Sequence, residues 1–527
     1  MTQNILSLSS SETLKYFLKS EHYHNFELPE YFVFDDILKF VAQKIGDKSY
    51  EECVTALDSA NLCNVNFDIL LNKDGKYAVR PLTLANPYLY YFLVKEICCE
   101  DGWQKTIDCF NKYKVSHITS SAIPVVVDEN KKEPFHNSTT ILNWWNSIEQ
   151  RSLELSLEYR YMFVTDITNC YGSINPQSIE WALTFKNTYF ATDANKGMAN
   201  SIMILLSAFQ QGRNIGIPQG SLIFDFIAEF VLGYTDLLLS EALEKANIKG
   251  YEILRYRDDY RIFCNDKGIL EEISYILQHV LETLNFRLNS QKTKISDSIV
   301  FDSIKPDKLY YIENTPIFNK KGVDFDGIEK HLLYILIFGR KYPNGGQIKN
   351  MLSDLDKRII KKLAPKKMKT MNLDSVKITI KEEPGKIKEN IRAIAAIGTQ
   401  IAIENVSHTH YALRVVSRLI DSLDDEQEKW DIRAKVCDKL CNRPNSTYDK
   451  IWLQNITYSR DKKLNICPYN ERLCQLVAGN SVELWNNSWL KPELIDGLPM
   501  NTVVNNQTLD KVTPVITFRE TRAYYEA

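Results

Sequence analysis

Apolar residues recur every three to four positions in two stretches near the start of the chain. Leu14, Tyr16, Phe17 and Leu18 follow Ser9 and Glu12, which are spaced as a capping box. Ile37, Leu38, Phe40 and Val41 form the second stretch, after Pro29 and the apolar run Tyr31–Phe34. Residues 1–60 are thus predicted to be a helical segment. Between 61 and 130 the texture is mixed: Asn72–Gly75 reads as a turn and 76–84 as its returning strand, while the polar run 128–140 reads as a loop.

From 160 to 300 strand and helix signals alternate. Residues 161–165 form a short apolar strand, 202–209 and 222–242 are helical, and 253–263 is two short strands around a polar turn. An amphipathic helix over 269–284 precedes strand-like residues at 286–289 and 292–295. The pattern predicts an α+β core of antiparallel strands with helices packed on one face.

Beyond about 325 the strand signal almost vanishes. Six segments, 328–338, 348–363, 391–403, 411–423, 432–440 and 448–456, keep helical apolar spacing without a strict repeat period. They predict an all-α, repeat-like domain over 325–500, followed by a polar tail over 501–527.

A chain of 527 residues exceeds what one core supports, so two or three domains are expected. With 25% charged and 11% aromatic residues, a disordered chain is excluded. Ile202–Leu206 and Leu332–Phe338 fall far short of the roughly 18 apolar residues that span a bilayer. The N-terminus has neither a basic start nor an apolar core segment, so no secretory signal and no membrane association are expected. Eleven scattered cysteines without a C-x-x-C pair read as reduced thiols, and with them a cytoplasmic location. Net charge is −3, so nucleic acid would be held by local basic patches. The richest is Arg340–Arg392, with fifteen Lys or Arg against six Asp or Glu, including Lys361, Lys362, Lys366, Lys367 and Lys369. It reads either as a solvated helix face or as an RNA contact.

Three short segments carry the chemistry. V-T-D-I-T-N-C-Y (164–171) places Asp166 at a strand end, with Tyr171 five residues on. G-I-P-Q-G-S (216–221) is a loop entering a long helix, and Y-R-D-D (256–259) puts twin aspartates at a hairpin tip. Phosphoryl transfer by two metal ions needs carboxylates from separate strands meeting at one point, with the cations about 3.5–4 Å apart. Asp166, Asp258 and Asp259 suit that arrangement. Each segment alone is weak, since paired aspartates usually mark a solvated turn. The order and the separations, 53 residues from Asp166 to Gln219 and 38 from Gln219 to Arg257, make the combination specific.

In these three segments the sequence resembles the reverse transcriptases, with residues 61–310 resembling their fingers and palm. The resemblance implies that Asp166, Asp258 and Asp259 hold two Mg2+ ions, or Mn2+, at the catalytic centre. It implies that Tyr171 stands at the steric gate that favours deoxynucleotides over ribonucleotides. Gln219 and Gly220 would lie along the incoming dNTP and the template, and Arg80 in V-R-P-L would clamp the triphosphate. Lys292 in N-S-Q-K-T-K would supply the proton to pyrophosphate, with Lys294 as its rival. Most relatives carry a small or apolar residue where this chain has Arg257. Its guanidinium would either contact primer or triphosphate phosphates or pair with a surface carboxylate.

No ribonuclease H, integrase or H-N-H-like segment is recognisable. L-P-E-Y-F-V-F (28–34), I-A-I-E-N (401–405) and N-S-T-Y-D-K-I-W-L-Q (445–454) resemble the bacterial abortive-infection, or unknown-group, defence reverse transcriptases. That resemblance implies a helical-repeat domain in place of a thumb, homo-oligomers and protein-primed DNA synthesis in antiphage defence. Synthesis would be untemplated or directed by a partner non-coding RNA. Two alternatives stand beside it: a templated, primer-extending enzyme of a mobile element, and an inactive RNA-binding signalling module. Tyr524 and Tyr525, in the polar tail 517–527, are the candidate priming residues, against the alternative that they simply dock on the last helix.

Overall fold

The computed structural model describes residues 3–55, 62–72, 79–126, 148–314, 327–364, 387 and 390–521. The Asn72–Gly75 turn beyond its first residue, the 128–140 loop, Lys366, Lys367, Lys369, Tyr524 and Tyr525 therefore lie outside the described residues.

Nine strands are described: β1 (Gln3–Asn4), β2 (Phe67–Asn72), β3 (Val79–Leu84), β4 (Ile118–Ser120), β5 (Val125–Val126), β6 (Tyr161–Asp166), β7 (Tyr251–Tyr256), β8 (Asp259–Cys264) and β9 (Lys294–Ser296). Strands β2 and β3 form an antiparallel ribbon, and β1 pairs with β5. The central sheet has the order β4-β7-β8-β6-β9. Its β7-β8, β8-β6 and β6-β9 pairs are antiparallel, as the pattern predicts, but β4 joins β7 in parallel. The 130 residues between Ser120 and Tyr251 leave ample chain for that crossover.

The expectation of helices on one face is corrected. One face, through Ile253, Tyr260 and Ile262, joins the main core; the other, through Met162, Leu254 and Phe263, packs on Ile148, Leu155 and Ile299. Strand β8 shows why: Tyr260, Arg261, Ile262, Phe263 and Cys264 are all buried, without the alternation of a one-sided sheet.

The longer helices are α1 (Ser10–Phe17), α2 (Asp35–Ile45), α3 (Pro87–Cys98), α4 (Glu100–Tyr113), α5 (Pro176–Thr184), α6 (Lys196–Phe209), α7 (Leu222–Lys245) and α8 (Lys267–Thr283). The six C-terminal segments appear as α9 (Ile328–Lys341), α10 (Gly346–Leu363), α11 (Ile391–Glu404), α12 (Thr409–Asp421), α13 (Glu426–Cys441) and α14 (Thr447–Leu464). Helix α1 starts on the Ser9–Glu12 capping box read from the sequence. No described helix is long and apolar enough to cross a membrane.

The domain limits drawn at 60 and 325 are not limits of packing. One continuous core runs from Ile5 to Ile516. Trp485 donates its indole N–H to the Leu84 carbonyl, Tyr88 its hydroxyl to the Leu494 carbonyl, and Tyr448 to that of Glu27. The polar tail is anchored as far as Thr521. Phe32 bridges Val504, the Asn505 amide donates to the Tyr31 carbonyl, and the fully buried Arg414 holds Thr521 and stacks on Phe518. These anchors are single residues scattered among polar ones, so no periodicity announces them.

Candidate active site

The site is built at the open ends of β6 and the β7-β8 hairpin. Register places Asp166 directly opposite Asp259 on β6 and β8, and Asp259 opposite Tyr256 on β7. Arg257 and Asp258 form the two-residue tip. Arg257 adopts φ +53, a left-handed conformation that costs a side-chain-bearing residue roughly 1 kcal/mol. The strand end is pinned on both sides: the Ile167 amide donates to the Asp258 carbonyl at 3.0 Å, and the Asn289 amide to the Asp166 carbonyl at 2.9 Å.

Two of these carboxyls, Asp258 and Asp259, bind their protons more tightly than ordinary carboxyls. Burial, then Asp258, then Asp166 push Asp259 up to about 7, and burial also raises Asp258. Lys292 donates to Asp166 Oδ2 at 2.5 Å. Burial, the largest single influence, would lower this lysine, but the bond to Asp166 and the charges of Asp166, Asp259 and Asp258 together outweigh it and raise the ammonium. The other oxygen, Asp166 Oδ1, is buried with no hydrogen-bond partner. An acceptor left dry and unpaired suits a cation, and that is the fit these residues offer a divalent metal. Among the described residues no three His, Cys, Asp or Glu side chains close on one point as a ready-made cage.

Of the two candidate lysines, Lys292 stands at the aspartates and Lys294 is paired with Asp302. Arg80 is an exposed residue of β3, paired in register with Leu71.

The Gly216–Gly220 loop is clamped between the turn after β6 and strand β3. Gly216, at φ +62, lies on the backbone of Tyr171 and Gly172, and the Ile217 amide donates to the Tyr171 carbonyl at 2.9 Å. Gly220, at φ +130, lies against β3, where a Cβ would sit 2.6 Å from the Thr83 carbonyl oxygen. The Thr83 amide donates to the Gln219 carbonyl at 2.6 Å, and the Asn25 amide to the Gly220 carbonyl at 2.9 Å. Two glycines are required because backbone approaches backbone on both sides.

Sequence reasoning missed Asp225. From the first turn of α7 its carboxylate accepts from Tyr171 Oη at 2.6 Å, Arg257 Nη2 at 2.8 Å and Asn25 Nδ2 at 3.0 Å. Neither reading of Arg257 anticipated this: its partner is a carboxylate, but a buried one. Burial and the adjacent Asp225 push the Tyr171 phenol well above its ordinary range. Beneath the hairpin the buried Arg255 binds Asp236 and Glu229 and donates to the Arg257 carbonyl at 3.1 Å. A signal was available. Asp225, Glu229 and Asp236 are the acids of the mainly apolar stretch Leu222–Leu239, and buried acids need partners.

Residues 113–328 match the family model described as reverse transcriptase (RNA-dependent DNA polymerase). The chain carries a reverse transcriptase domain. That domain supports RNA-directed DNA polymerase activity, and it contains Asp166, Tyr171, Gln219, Gly220, Arg257, Asp258, Asp259 and Lys292. Arg80 and much of the helical half lie outside the matched residues. No curated protein matches the chain. Among solved structures, it is similar to telomerase from Candida albicans with a fragment of telomeric RNA, at 10% identity and TM-score 0.29, over 79% of this chain and 67% of that one. It is similar also to apo telomerase from Candida tropicalis, at 13% identity and TM-score 0.30, over 80% and 74%. A form of the latter truncated at its C-terminal domain gives 14%, 0.29, 50% and 55%.

Proposed function

We propose that this protein is a cytoplasmic, homo-oligomeric defence reverse transcriptase that polymerises dNTPs into DNA. The observation that carries the polymerase reading is the register of Asp166 opposite Asp259, with Asp258 at the adjoining tip, inside the matched domain. Asp166, Asp258 and Asp259 would hold the divalent cations, with Mg2+ the expected ion. Bound there, the metals would lower the pKa of the attacking hydroxyl and stabilise the leaving pyrophosphate.

The chain's own groups do the rest. Tyr171 sets its ring beside the incoming sugar and excludes a 2′-hydroxyl. The Gln219–Gly220 backbone, fixed to β3 through Thr83, orients base and template. Lys292 holds a proton at its Nζ, within reach of Asp166, and would give it to the leaving pyrophosphate. Arg80 meets the triphosphate from the fingers.

The defence role, the partner RNA and protein priming rest on the resemblance of segments 28–34, 401–405 and 445–454. The close union of the helical half with the N-terminal region supports a confined strand rather than a sliding duplex. Purified protein incubated with single labelled dNTPs, with and without its co-purified RNA, tests the whole reading. Label covalently on protein is expected; label only on an added primer favours a mobile-element enzyme, and no label an inactive RNA-binding module. Mapping a nucleotide adduct to Tyr524 or Tyr525 tests the priming residues, and an adduct elsewhere removes them.

A further inference from the structure

Asp225 joins three separate parts of the site on one carboxylate. Its three partners come from the N-terminal segment (Asn25), the turn after β6 (Tyr171) and the hairpin tip (Arg257). Asp225 is only 8% exposed, so all three donors meet a charged acceptor that is itself buried, which strengthens each bond. Besides Asp225, Tyr171 meets the edge of the main core and Arg257 the face of Tyr256, and the carboxylate joins these two side chains at their polar ends. The Tyr171 ring is held at its far end by the hydroxyl, and Arg257 sits on a backbone conformation that its side chain disfavours.

We propose that Asp225 is the positioning residue for sugar selection: by holding the Tyr171 hydroxyl and the Arg257 guanidinium on its two oxygens, it fixes the ring against which a 2′-hydroxyl clashes. The role rests on the reading of Tyr171 as the surface that meets the incoming sugar. In it, selectivity comes from a ring that cannot recede, and the carboxylate is what stops it receding. Tyr171 without its anchor keeps its bulk and loses its place.

The test compares wild type with Asp225→Asn, Tyr171→Phe, their double variant and Tyr171→Ala. kcat and KM are measured for one dNTP and its rNTP, and a thermal melt is recorded for each protein. Asp225→Asn presents an amide N–H₂ to Arg257 and Asn25, and Tyr171→Phe keeps the ring but removes the donor. Both are expected to lower the deoxy-to-ribo ratio of kcat/KM about tenfold or more, mainly through the two KM values. The double variant is expected to be no worse than either single one, because Asp225→Asn frees the carboxylate position from Arg257 and Asn25, Tyr171→Phe frees the ring from that position, and both loosen the same anchoring of the ring. Tyr171→Phe carries the test should Asp225→Asn fold poorly. A wild-type ratio in Asp225→Asn and Tyr171→Phe beside a collapsed ratio in Tyr171→Ala overturns the role of Asp225 and leaves the gate standing. An unchanged ratio in Tyr171→Ala as well removes the gate, and no incorporation by wild type removes the polymerase reading; either takes this role with it.

Discussion

Asp166 and Asp259 occupy directly opposed positions on adjacent antiparallel strands, so two acids share one rung of the sheet. Like charges so placed destabilise the pair, and here burial adds to the effect. The arrangement makes sense where a cation joins them.

Replacing Asp258 and Asp259 together by Ala is expected to reduce nucleotide incorporation at least about a thousandfold, as a loss of roughly 4 kcal/mol of transition-state stabilisation requires. In metal-free buffer the variant should melt at or above the wild-type temperature, because mutual repulsion has been removed. Incorporation and melting measured on one preparation separate this from misfolding; activity surviving in the double variant would end the metal-site assignment.

Gly220→Ala is expected to destabilise the protein by about 1–3 kcal/mol and to suppress incorporation. The new Cβ would stand 2.6 Å from the Thr83 carbonyl oxygen and 2.9 Å from its amide nitrogen, with φ at +130. Gly197→Ala is the control: it lies in α6 with nothing within 4 Å of the added carbon and should be neutral or slightly stabilising. Denaturant midpoints of the two variants decide the matter.

Arg255→Met leaves Glu229 and Asp236 buried without their shared partner and should cost about 3–5 kcal/mol. The triple variant with Glu229→Gln and Asp236→Asn should recover most of that loss in an unfolding titration. A single variant as stable as wild type would mean that the cluster contributes nothing to the hairpin.

His410 gives the protein a specific acid sensitivity. It is buried on Trp452 and Tyr448, and burial lowers it from 6.5 to about 3. The folded state keeps this ring neutral while the unfolded chain protonates it near 6.5. Its contribution is therefore complete above that pH and is lost as pH falls toward 3. The melting temperature should drop between pH 7 and 5, and His410→Phe should flatten that part of the curve. An identical pH profile in the variant would place the acid-labile group elsewhere.

How much of this was legible beforehand follows from which forces leave a local trace. The β7-β8 hairpin, the helix over 222–242 and all six C-terminal helices follow from apolar spacing, which is a property of neighbours in sequence. The aspartates follow from their strand ends. Asp225 was not legible, because its meaning lies in Tyr171, Arg257 and Asn25, which sequence distance hides. The same holds for Thr83: nothing in V-R-P-L-T-L states that its amide will meet Gln219. The docking of 503–521 was missed because isolated residues such as Val504 and Thr521 carry it.

The bridge from Phe32 to Val504 also sets a timetable for synthesis. A ribosome adding about 5–20 residues per second reaches Val504 roughly 24–94 s after Phe32 has been made. Until then the surfaces of Tyr31, Phe34 and Leu84 that later receive Asn505 and Trp485 remain uncovered. The N-terminal segment thus carries an apolar flank for chaperones to cover, and it joins the helical half only once the residues around Val504 have been made.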